Sequence, residues 1–317
     1  MKSIATLTMN PTIDVAYEVG HVIPTHKMRT EQENYDPGGG GINVARVFVR
    51  LGGMARCYYL SGGATGVALD SLLDLHQLVR TRIAIAGHTR ISTSVLEVES
   101  GKEYRFVPSG PTLAPQEWQA CLDRIAEAEC DYLVISGSLP KGVPDDFYAR
   151  VAANVRPRGI RIVLDTSGPA LREGLAGGDI FLAKPSLGEL RQLAGYELDS
   201  AEAIAEAAAE IVRQGQAEYV AVTMGRDGAL LAHQRGMIRL PAIVVEAKSA
   251  VGAGDSFLAA MGFAFASGWE ANDSFRFGIA AGAAAVLTHG TGLSQPADIQ
   301  RLYAASVLAA RQIATPQ

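Results

Sequence analysis

The sequence predicts an α/β fold with a mostly parallel central sheet and helices on both of its faces. Short apolar segments alternate with segments of helical spacing along most of the chain, an order typical of a parallel sheet. The apolar segments show no polar alternation, as expected of strands that are buried on both faces. With 317 residues and 48% hydrophobic content, the chain can bury a large core. We therefore expect a single domain over residues 1–317.

The strongest local patterns follow one another in that alternating order. Predicted strands lie at residues 4–8, 55–60, 132–136, 160–165 and 219–223. Predicted helices lie at residues 42–51, 66–78, 118–128, 145–155 and 201–214. The last third of the chain is expected to be almost entirely helical, with helices at 254–267, 272–287 and 297–311.

Two regions, 12–36 and 88–108, break the alternation. Within the second, residues 91–98 and 103–107 predict a hairpin whose dyad pattern indicates one solvated face. We assign both regions to a small β-sheet lid inserted into the main domain. The apolar face of such a lid needs cover, so we expect a closing substrate or a second copy of the chain, as in a homodimer.

Charge and composition exclude several classes of protein. The formal net charge is −5 and no basic cluster occurs, which argues against a nucleic acid as partner. The three cysteines are scattered without a CxxC pair, which predicts free thiols in a reducing compartment. No signal peptide is evident, and the most apolar stretch, 277–288, is too short to cross a membrane. These features predict a cytoplasmic protein without a membrane partner.

Searches for common catalytic motifs remove three further classes. The chain has no GxxxxGK[ST] loop, no GxSxG elbow and no HExxH helix. The six histidines are dispersed and form no pair with metal-ligand spacing. P-loop phosphate chemistry, α/β-hydrolase chemistry and zinc hydrolysis therefore lose support, and two glycine-rich segments remain as candidates.

The first glycine-rich segment spans residues 37–46 and leads directly into a predicted helix. Four glycines follow Pro37, so a ligand can approach the backbone closely there. Asn43 breaks the dinucleotide-binding fingerprint, which argues against a nicotinamide-dependent dehydrogenase. Asn43 also offers both a donor and an acceptor from the first helical turn. The alternative interpretation is an ordinary loop that enters a helix.

The second segment is Gly252-Ala253-Gly254-Asp255, immediately before a strong helical pattern. Small residues at a helix N-terminus leave backbone N–H groups free to bind an anion. The positive end of the helix would keep Asp255 ionised. The alternative interpretation is that Asp255 is only a first-turn carboxylate that stabilises its own helix.

Together the two segments resemble the two signatures of the ribokinase-like (pfkB) carbohydrate kinase family, and the resemblance extends over residues 6–292. It implies a three-layer αβα fold with a small β-sheet lid. The chain looks most similar to the 6-phosphofructokinases of this fold, because relatives that act on fructose 1-phosphate or tagatose 6-phosphate tend to carry lysine at the position of Gly40. The implied reaction transfers the γ-phosphoryl group of ATP, with Mg²⁺, to fructose 6-phosphate.

The resemblance also implies roles for individual residues. Asp255 is the implied general base, and the backbone of Gly252, Ala253 and Gly254 forms the anion hole. The implied sugar-phosphate ligands are Asp14, Gly39, Asn43, Arg90, Ser138, Lys27 and Arg29. The implied nucleotide ligands are Lys184, Ser186, Thr223, Gly225 and Gly228. Glu189 is the implied acid of the Mg²⁺ network, and Ser249, Val251 and Ala285 would surround a monovalent cation such as K⁺.

The sequence departs from the family pattern at a few of these positions. Ser186 stands where the family usually has asparagine, and the Ala250-Val251 pair stands where a threonine is usual. Thr288 and Gly292 also differ from the expected pattern. Two alternatives remain open: a kinase for fructose 1-phosphate or tagatose 6-phosphate, and a catalytically inactive sensor of sugar phosphates on the same fold.

Overall fold

The structure, a computed structural model, describes residues 1–30, 32–288 and 290–314. Within these residues the strands form two sheets. The strands are β1 (Ile4–Thr8), β2 (Thr12–Val19), β3 (Gln32–Gly38), β4 (Ala55–Ser61), β5 (Val79–Ala84), β6 (Arg90–Glu97), β7 (Lys102–Phe106), β8 (Tyr132–Ser136), β9 (Arg161–Asp165), β10 (Ile180–Ala183), β11 (Ala217–Thr223), β12 (Ala229–His233) and β13 (Gly236–Leu240).

The helices complete the framework. They are α1 (Gly40–Arg50), α2 (Gly63–Leu75), α3 (Pro115–Ala126), α4 (Phe147–Val155), α5 (Gly168–Ala176), α6 (Leu187–Ala194), α7 (Ala201–Arg213), α8 (Ala253–Ala266), α9 (Ala271–Ala285) and α10 (Pro296–Ala314). None of these helices is both long and apolar enough to cross a membrane, as far as the described residues extend.

The larger sheet has nine strands in the order β13-β12-β11-β10-β9-β8-β1-β4-β5. All neighbours are parallel except the β11–β12 and β12–β13 pairs at one edge. Helices α3 to α7 pack on one face, and α1, α2 and α8 to α10 pack on the other. The predicted three-layer α/β architecture is confirmed, and the strands bury apolar side chains towards both layers because helices cover both faces.

The smaller sheet has four strands in the order β3-β2-β6-β7, and it contains both parallel and antiparallel pairs. Its strands fall within the two regions assigned to a lid, except that β3 extends two residues beyond residue 36 to Gly38. Glu31, in the first region, lies outside the described residues. On β6 the buried side chains include Ser92 and Ser94, whereas Ile91 is 42% exposed. The face that carries Ser92 and Ser94 is therefore covered, whereas the opposite face is buried at Ile13 and Val15 and open at Ile91.

The expectation of an almost wholly helical last third is wrong over residues 229–240. That segment forms the antiparallel pair β12–β13, with tight turns at Gly228 and Gly236, both of positive φ. Its Ala-Leu-Leu-Ala run favours a helix by local propensity. Pairing with the buried strand β11 decides the outcome, which a local pattern cannot indicate.

Candidate active site

The candidate site lies where the parallel strands of the larger sheet end. Ligands of open α/β folds bind at this edge, near the point where the strand order reverses. The register pairs Ser136, the last residue of β8, with Asp165, the last residue of β9. Lys184 follows the end of β10 directly. Three polar side chains therefore meet at the carboxyl edge because the register of the buried strands places them there.

An ion pair joins two of these side chains. The Lys184 Nζ atom lies 3.0 Å from Asp165 Oδ1, and both side chains are largely buried. The hydroxyl of Ser136 donates to Asp165 Oδ2 at 3.2 Å. Burial alone would lower the pKa of Lys184, but the adjacent Asp165 carboxylate raises it above its usual value. Sequence reasoning missed Asp165, although its position at the end of a predicted strand was an available signal.

Asp255 lies in the first turn of α8, and the chain enters that helix through Gly252. Gly252 has φ +71°, and a Cβ atom there would lie 2.4 Å from Leu293, so glycine is required. The Asn43 amide donates to Asp255 Oδ2 at 2.9 Å, which joins the two glycine-rich segments in space. Burial, together with the Asp165 charge, raises the pKa of Asp255 to about 6, against the opposing effects of Asn43 and Lys184.

Asp14 projects from β2 against the glycines that precede α1. A Cβ atom at Gly38 would lie 2.0 Å from Asp14 Oδ2, so only glycine leaves room for this carboxylate. Gly39 is the N-terminal cap of α1 and has φ +107°. Burial raises the pKa of Asp14 to about 6, although the charges of Arg46, Arg105 and Arg90 oppose that rise. Arg105 was not identified from the sequence, because nothing in the local pattern of β7 distinguishes it from a solvated lid charge.

Arg90 is anchored where the small sheet meets the larger one. Its terminal nitrogens donate to the carbonyl oxygens of Asn10 at 2.8 Å and Pro108 at 2.9 Å. Burial lowers the pKa of Arg90 below its usual value, while Asp14 opposes this. Lys27 and Arg29 lie in the exposed segment between β2 and β3, and neither is among the charges that shift the pKa of Asp14.

The remaining predicted ligands lie along the same edge. Ser138 is exposed, two residues beyond the end of β8. Ser186, beyond the end of β10, forms a parallel bridge with Thr223, the last residue of β11. Gly225 and Gly228 flank the turn between β11 and β12, and the Cβ position of Gly225 faces open space. The sequence-derived sets for sugar and nucleotide thus lie at one continuous edge of the sheet.

Glu189 and Ser186 form a capping box at the start of α6. The Glu189 carboxylate accepts from the Ser186 backbone at 2.7 Å and from its hydroxyl at 2.9 Å, both through Oε2. The second carboxylate oxygen stays available for a hydrated metal ion. No group of three or more His, Cys, Asp or Glu side chains could hold a metal on its own in the part of the chain that the structure describes. This donor set fits Mg²⁺ that arrives bound to nucleotide phosphates and keeps its water ligands.

The residues of the predicted monovalent-cation site form hydrogen bonds with their neighbours. The carbonyl oxygen of Ala285 already accepts from the Thr288 amide at 3.1 Å and from the Thr288 hydroxyl at 2.7 Å. The same hydroxyl lies 2.6 Å from the carbonyl oxygen of Gly292, and its single proton can be donated to only one of the two carbonyls. When it is donated to Gly292, the Ala285 oxygen keeps a lone pair for a cation. Ser249 and Val251 are joined by a 3.3 Å hydrogen bond from the Val251 amide to the Ser249 hydroxyl. A monovalent-cation site at these residues stays a prediction.

A carboxylate in the first turn of a helix, beside unobstructed backbone amides and a buried lysine, is an arrangement suited to phosphoryl transfer. A family profile described as pfkB family carbohydrate kinase matches residues 7–298. The ATP-dependent 6-phosphofructokinase isozyme 2 of Mycobacterium tuberculosis is 43% identical over 302 residues, which cover 95% of this chain and 88% of that protein. The chain belongs to the pfkB family of carbohydrate kinases.

Solved structures agree with this assignment. The crystal structure of phosphofructokinase-2 from Escherichia coli in complex with fructose-6-phosphate has a TM-score of 0.90 and 38% identity, covering 96% of this chain and 99% of that chain. A structure described as the tetrameric inhibited form of the same Escherichia coli protein also has a TM-score of 0.90 and 38% identity, with the same coverage. The ribokinase-like fold is thus shared over nearly the whole of both chains.

Proposed function

We propose that this chain is an ATP-dependent 6-phosphofructokinase, which transfers the γ-phosphoryl group of ATP to the 1-hydroxyl of fructose 6-phosphate. The observation that carries this proposal is the placement of Asp255. Its carboxylate accepts a hydrogen bond from Asn43, one of the proposed sugar ligands. It also lies in the helical turn whose backbone N–H groups would bind the oxygens of the transferred phosphoryl group. The similarity to named 6-phosphofructokinases over nearly the whole chain supports the choice of substrate.

In the proposed reaction, Asp255 accepts the proton of the sugar 1-hydroxyl as its oxygen attacks the γ-phosphorus. The bond from the γ-phosphorus to the bridging oxygen of ADP breaks, and ADP leaves with that electron pair. The backbone N–H groups of Gly252, Ala253 and Gly254 stabilise the negative charge on the transferred group. Lys184 assists, because its ammonium lies 3.3 Å from the Cβ position of Gly254. A positioned base of this kind contributes about 10²–10⁴-fold in rate.

The sugar phosphate would bind across the mouth of the cleft. Asp14 would accept hydrogen bonds from its hydroxyls, and Asn43 would accept from them or donate to them. The backbone of Gly39 would lie beside the sugar, and Ser138 would lie at the rim of the cleft. Arg90 would bind the phosphate group through its planar fork. Arg105 lies on the same face of the small sheet as Asp14. Asp14 pairs with Ser92, Arg105 pairs with Ser94, and residues two apart on one strand share a face. Lys27 and Arg29, on the exposed segment between β2 and β3, would assist at the phosphate or come from a neighbouring copy.

ATP would lie along the edge formed by β10, β11 and the start of α8. Lys184 would neutralise its phosphates, while Ser186, Thr223, Gly225 and Gly228 would contact the rest of the nucleotide through backbone and hydroxyl groups. Mg²⁺, held mainly by the ATP phosphates and water, would neutralise phosphate charge during transfer. Glu189 would hold one water ligand through its free oxygen.

A kinetic comparison of sugar phosphates tests the proposed function. With Mg-ATP, we expect the highest kcat/KM for fructose 6-phosphate among fructose 6-phosphate, fructose 1-phosphate and tagatose 6-phosphate. A higher value for either of the other two sugars would assign the chain to the alternative kinases. Binding of sugar phosphates without ADP formation would instead support the inactive sensor.

We also propose a cytoplasmic homodimer that associates through the small sheet. One row across that sheet contains Tyr35, Val15, Thr93 and Phe106. Tyr35 is 49% exposed and Phe106 is 61% exposed, and an open apolar sheet face of this kind calls for a cover. A second copy would supply it. The cytoplasm is the compartment that holds both ATP and phosphorylated sugars.

A further inference from the structure

Arg46 is a buried guanidinium beneath the sugar site that the proposed reaction does not use. It lies one helical turn after Asn43 on α1, and its side chain is 2% exposed. Its Nη1 atom donates to the carbonyl of Pro37 at 3.0 Å and lies 3.4 Å from Asn43 Oδ1. Its Nη2 atom pairs with the carboxylate of Asp36. Burial of a charge costs free energy unless an opposite charge and hydrogen bonds compensate for the lost water. Here three partners around the first turn of α1 provide that compensation.

Asp36 is the carboxylate that fixes the position of the Arg46 guanidinium. Its other oxygen accepts from the Thr291 hydroxyl at 2.6 Å, and His76 Nε2 lies 3.5 Å from Oδ1. Burial would raise the pKa of Asp36, but hydrogen bonding from His76 and the charge of Arg46 lower it to about 2. Asp36 is therefore ionised at neutral pH, and it fixes the guanidinium from the side of β3.

The position of Arg46 decides which end of the Asn43 amide faces Asp255. With its oxygen turned to the guanidinium, the amide presents its NH₂ group to the Asp255 carboxylate, at 2.9 Å. The reversed amide would place its oxygen against the carboxylate and its NH₂ against the guanidinium, two repulsive contacts. We propose, resting on the function proposed above, that Arg46 is a positioning residue that locks Asn43 as a donor to the catalytic base.

The charges around Asp255 make this orientation measurable. Asp165 from β9, Asp14 from β2 and Lys184 after β10 face it, together with the Asn43 amide from α1. The Asn43 bond lowers the pKa of Asp255, so loss of that bond raises it. Loss of Arg46 also favours the protonated form of Asp14, which weakens its repulsion of Asp255 and shifts the pKa of Asp255 the opposite way. Loss of the Arg46 charge also acts directly, because removal of a nearby cation raises the pKa of a carboxyl group. The variant Arg46→Lys separates the two effects, since it keeps the charge but not the planar fork that orients the Asn43 amide.

The experiment compares kcat against pH for the wild-type protein and Arg46→Gln, at saturating fructose 6-phosphate and Mg-ATP. We expect the acidic limb of the variant to move up by about one pH unit, and its kcat at pH 7 to fall about twofold, because about half of Asp255 would then be protonated at that pH. Arg46→Lys keeps a charge but not the planar fork, so its limb should lie between the two. Arg56→Gln, the same change at an exposed arginine of β4, is the matched control and should leave the profile unchanged.

An acidic limb of Arg46→Gln that stays in place, or moves to lower pH, overturns the role of Arg46 whatever the value of kcat. An Arg46→Lys limb that coincides with the wild-type limb overturns it as well, because the shift in Arg46→Gln would then come from the lost charge alone. A purely structural defect would lower kcat by the same factor at every pH. If Arg46→Gln does not fold, Asp36→Asn is measured in its place, because it removes the carboxylate that fixes the Arg46 guanidinium. The acidic limb of kcat should then move to higher pH by a smaller amount. A wild-type protein without activity on fructose 6-phosphate would contradict the proposed function instead.

Discussion

At the scale of single residues, two carboxyl groups with raised pKa values stand on either side of the site. Asp14 and Asp255 are both held near a pKa of 6, chiefly by burial. A base with a pKa close to the working pH combines a large ionised fraction with a useful proton affinity. The cost of keeping these carboxylates ionised at neutral pH falls on the stability of the fold, a common feature of catalytic sites.

The raised pKa of Asp255 predicts the pH dependence of turnover. Asp255 must be ionised to accept a proton, so kcat should fall as the pH drops through about 6, where the protonated form takes over. The measurement is kcat at saturating substrates from pH 5 to 9. A limb near pH 4, the ordinary range of an aspartate, would show that the burial of Asp255 has no kinetic effect.

Arg90 gives a second prediction at this scale. Because its guanidinium is the proposed phosphate ligand, Arg90→Ala should raise KM for fructose 6-phosphate by about tenfold to a hundredfold, the effect of losing a charge-assisted hydrogen bond. KM for ATP should change by less than about threefold, since only the sugar carries that phosphate. Equal increases in both KM values would place the sugar phosphate elsewhere.

At the scale of elements, the glycine-rich entry to α1 sets how closely β2 and the helix approach. The clearest case is Gly38, whose missing side chain is the space that the Asp14 carboxylate occupies. Gly38→Ala should therefore displace Asp14 and raise KM for fructose 6-phosphate at least tenfold, while KM for ATP stays within about twofold. Gly20→Ala is the control, because its Cβ position is 3.7 Å from the nearest atom and should leave both constants unchanged. The same KM for fructose 6-phosphate in Gly38→Ala and Gly20→Ala would contradict the proposed role of Asp14.

The same scale shows how much of the fold the sequence predicts. The buried strands β1 and β8 are predicted at their observed bounds, because a short apolar run between polar turns has few other outcomes. The two glycine-rich segments predict Asn43 and Asp255 because helix N-termini have local signatures. The position of Asp165 at the end of a predicted strand was a usable signal, but its pairing with Ser136 depends on strand register, which connects residues far apart in the chain. Arg105 is not predicted, since its proximity to the site depends on register alone.

At the scale of the whole molecule, the small sheet extends beyond the main core with part of one face open. If a second copy covers that face, a charge placed on its exposed edge strand β7 should separate the two copies. We expect Phe106→Asp to convert a dimer into a monomer, measured by light scattering coupled to size-exclusion chromatography. The lid of a separated chain would lose its support, so kcat/KM for fructose 6-phosphate should also fall. An unchanged molar mass would show that the open face is not the interface.

The cleft as a whole has one central requirement, a carboxylate at residue 255 that accepts a proton. Asp255→Asn keeps the size of the side chain and still accepts the hydrogen bond from Asn43, but it removes the base. The direct test measures kcat together with the Kd for fructose 6-phosphate, with Asp123→Asn on the exposed side of α3 as control. We predict a loss of about 10²–10⁴-fold in kcat with Kd within about threefold of the wild-type value. A kcat near that of the wild type would contradict the assignment of Asp255 as the base.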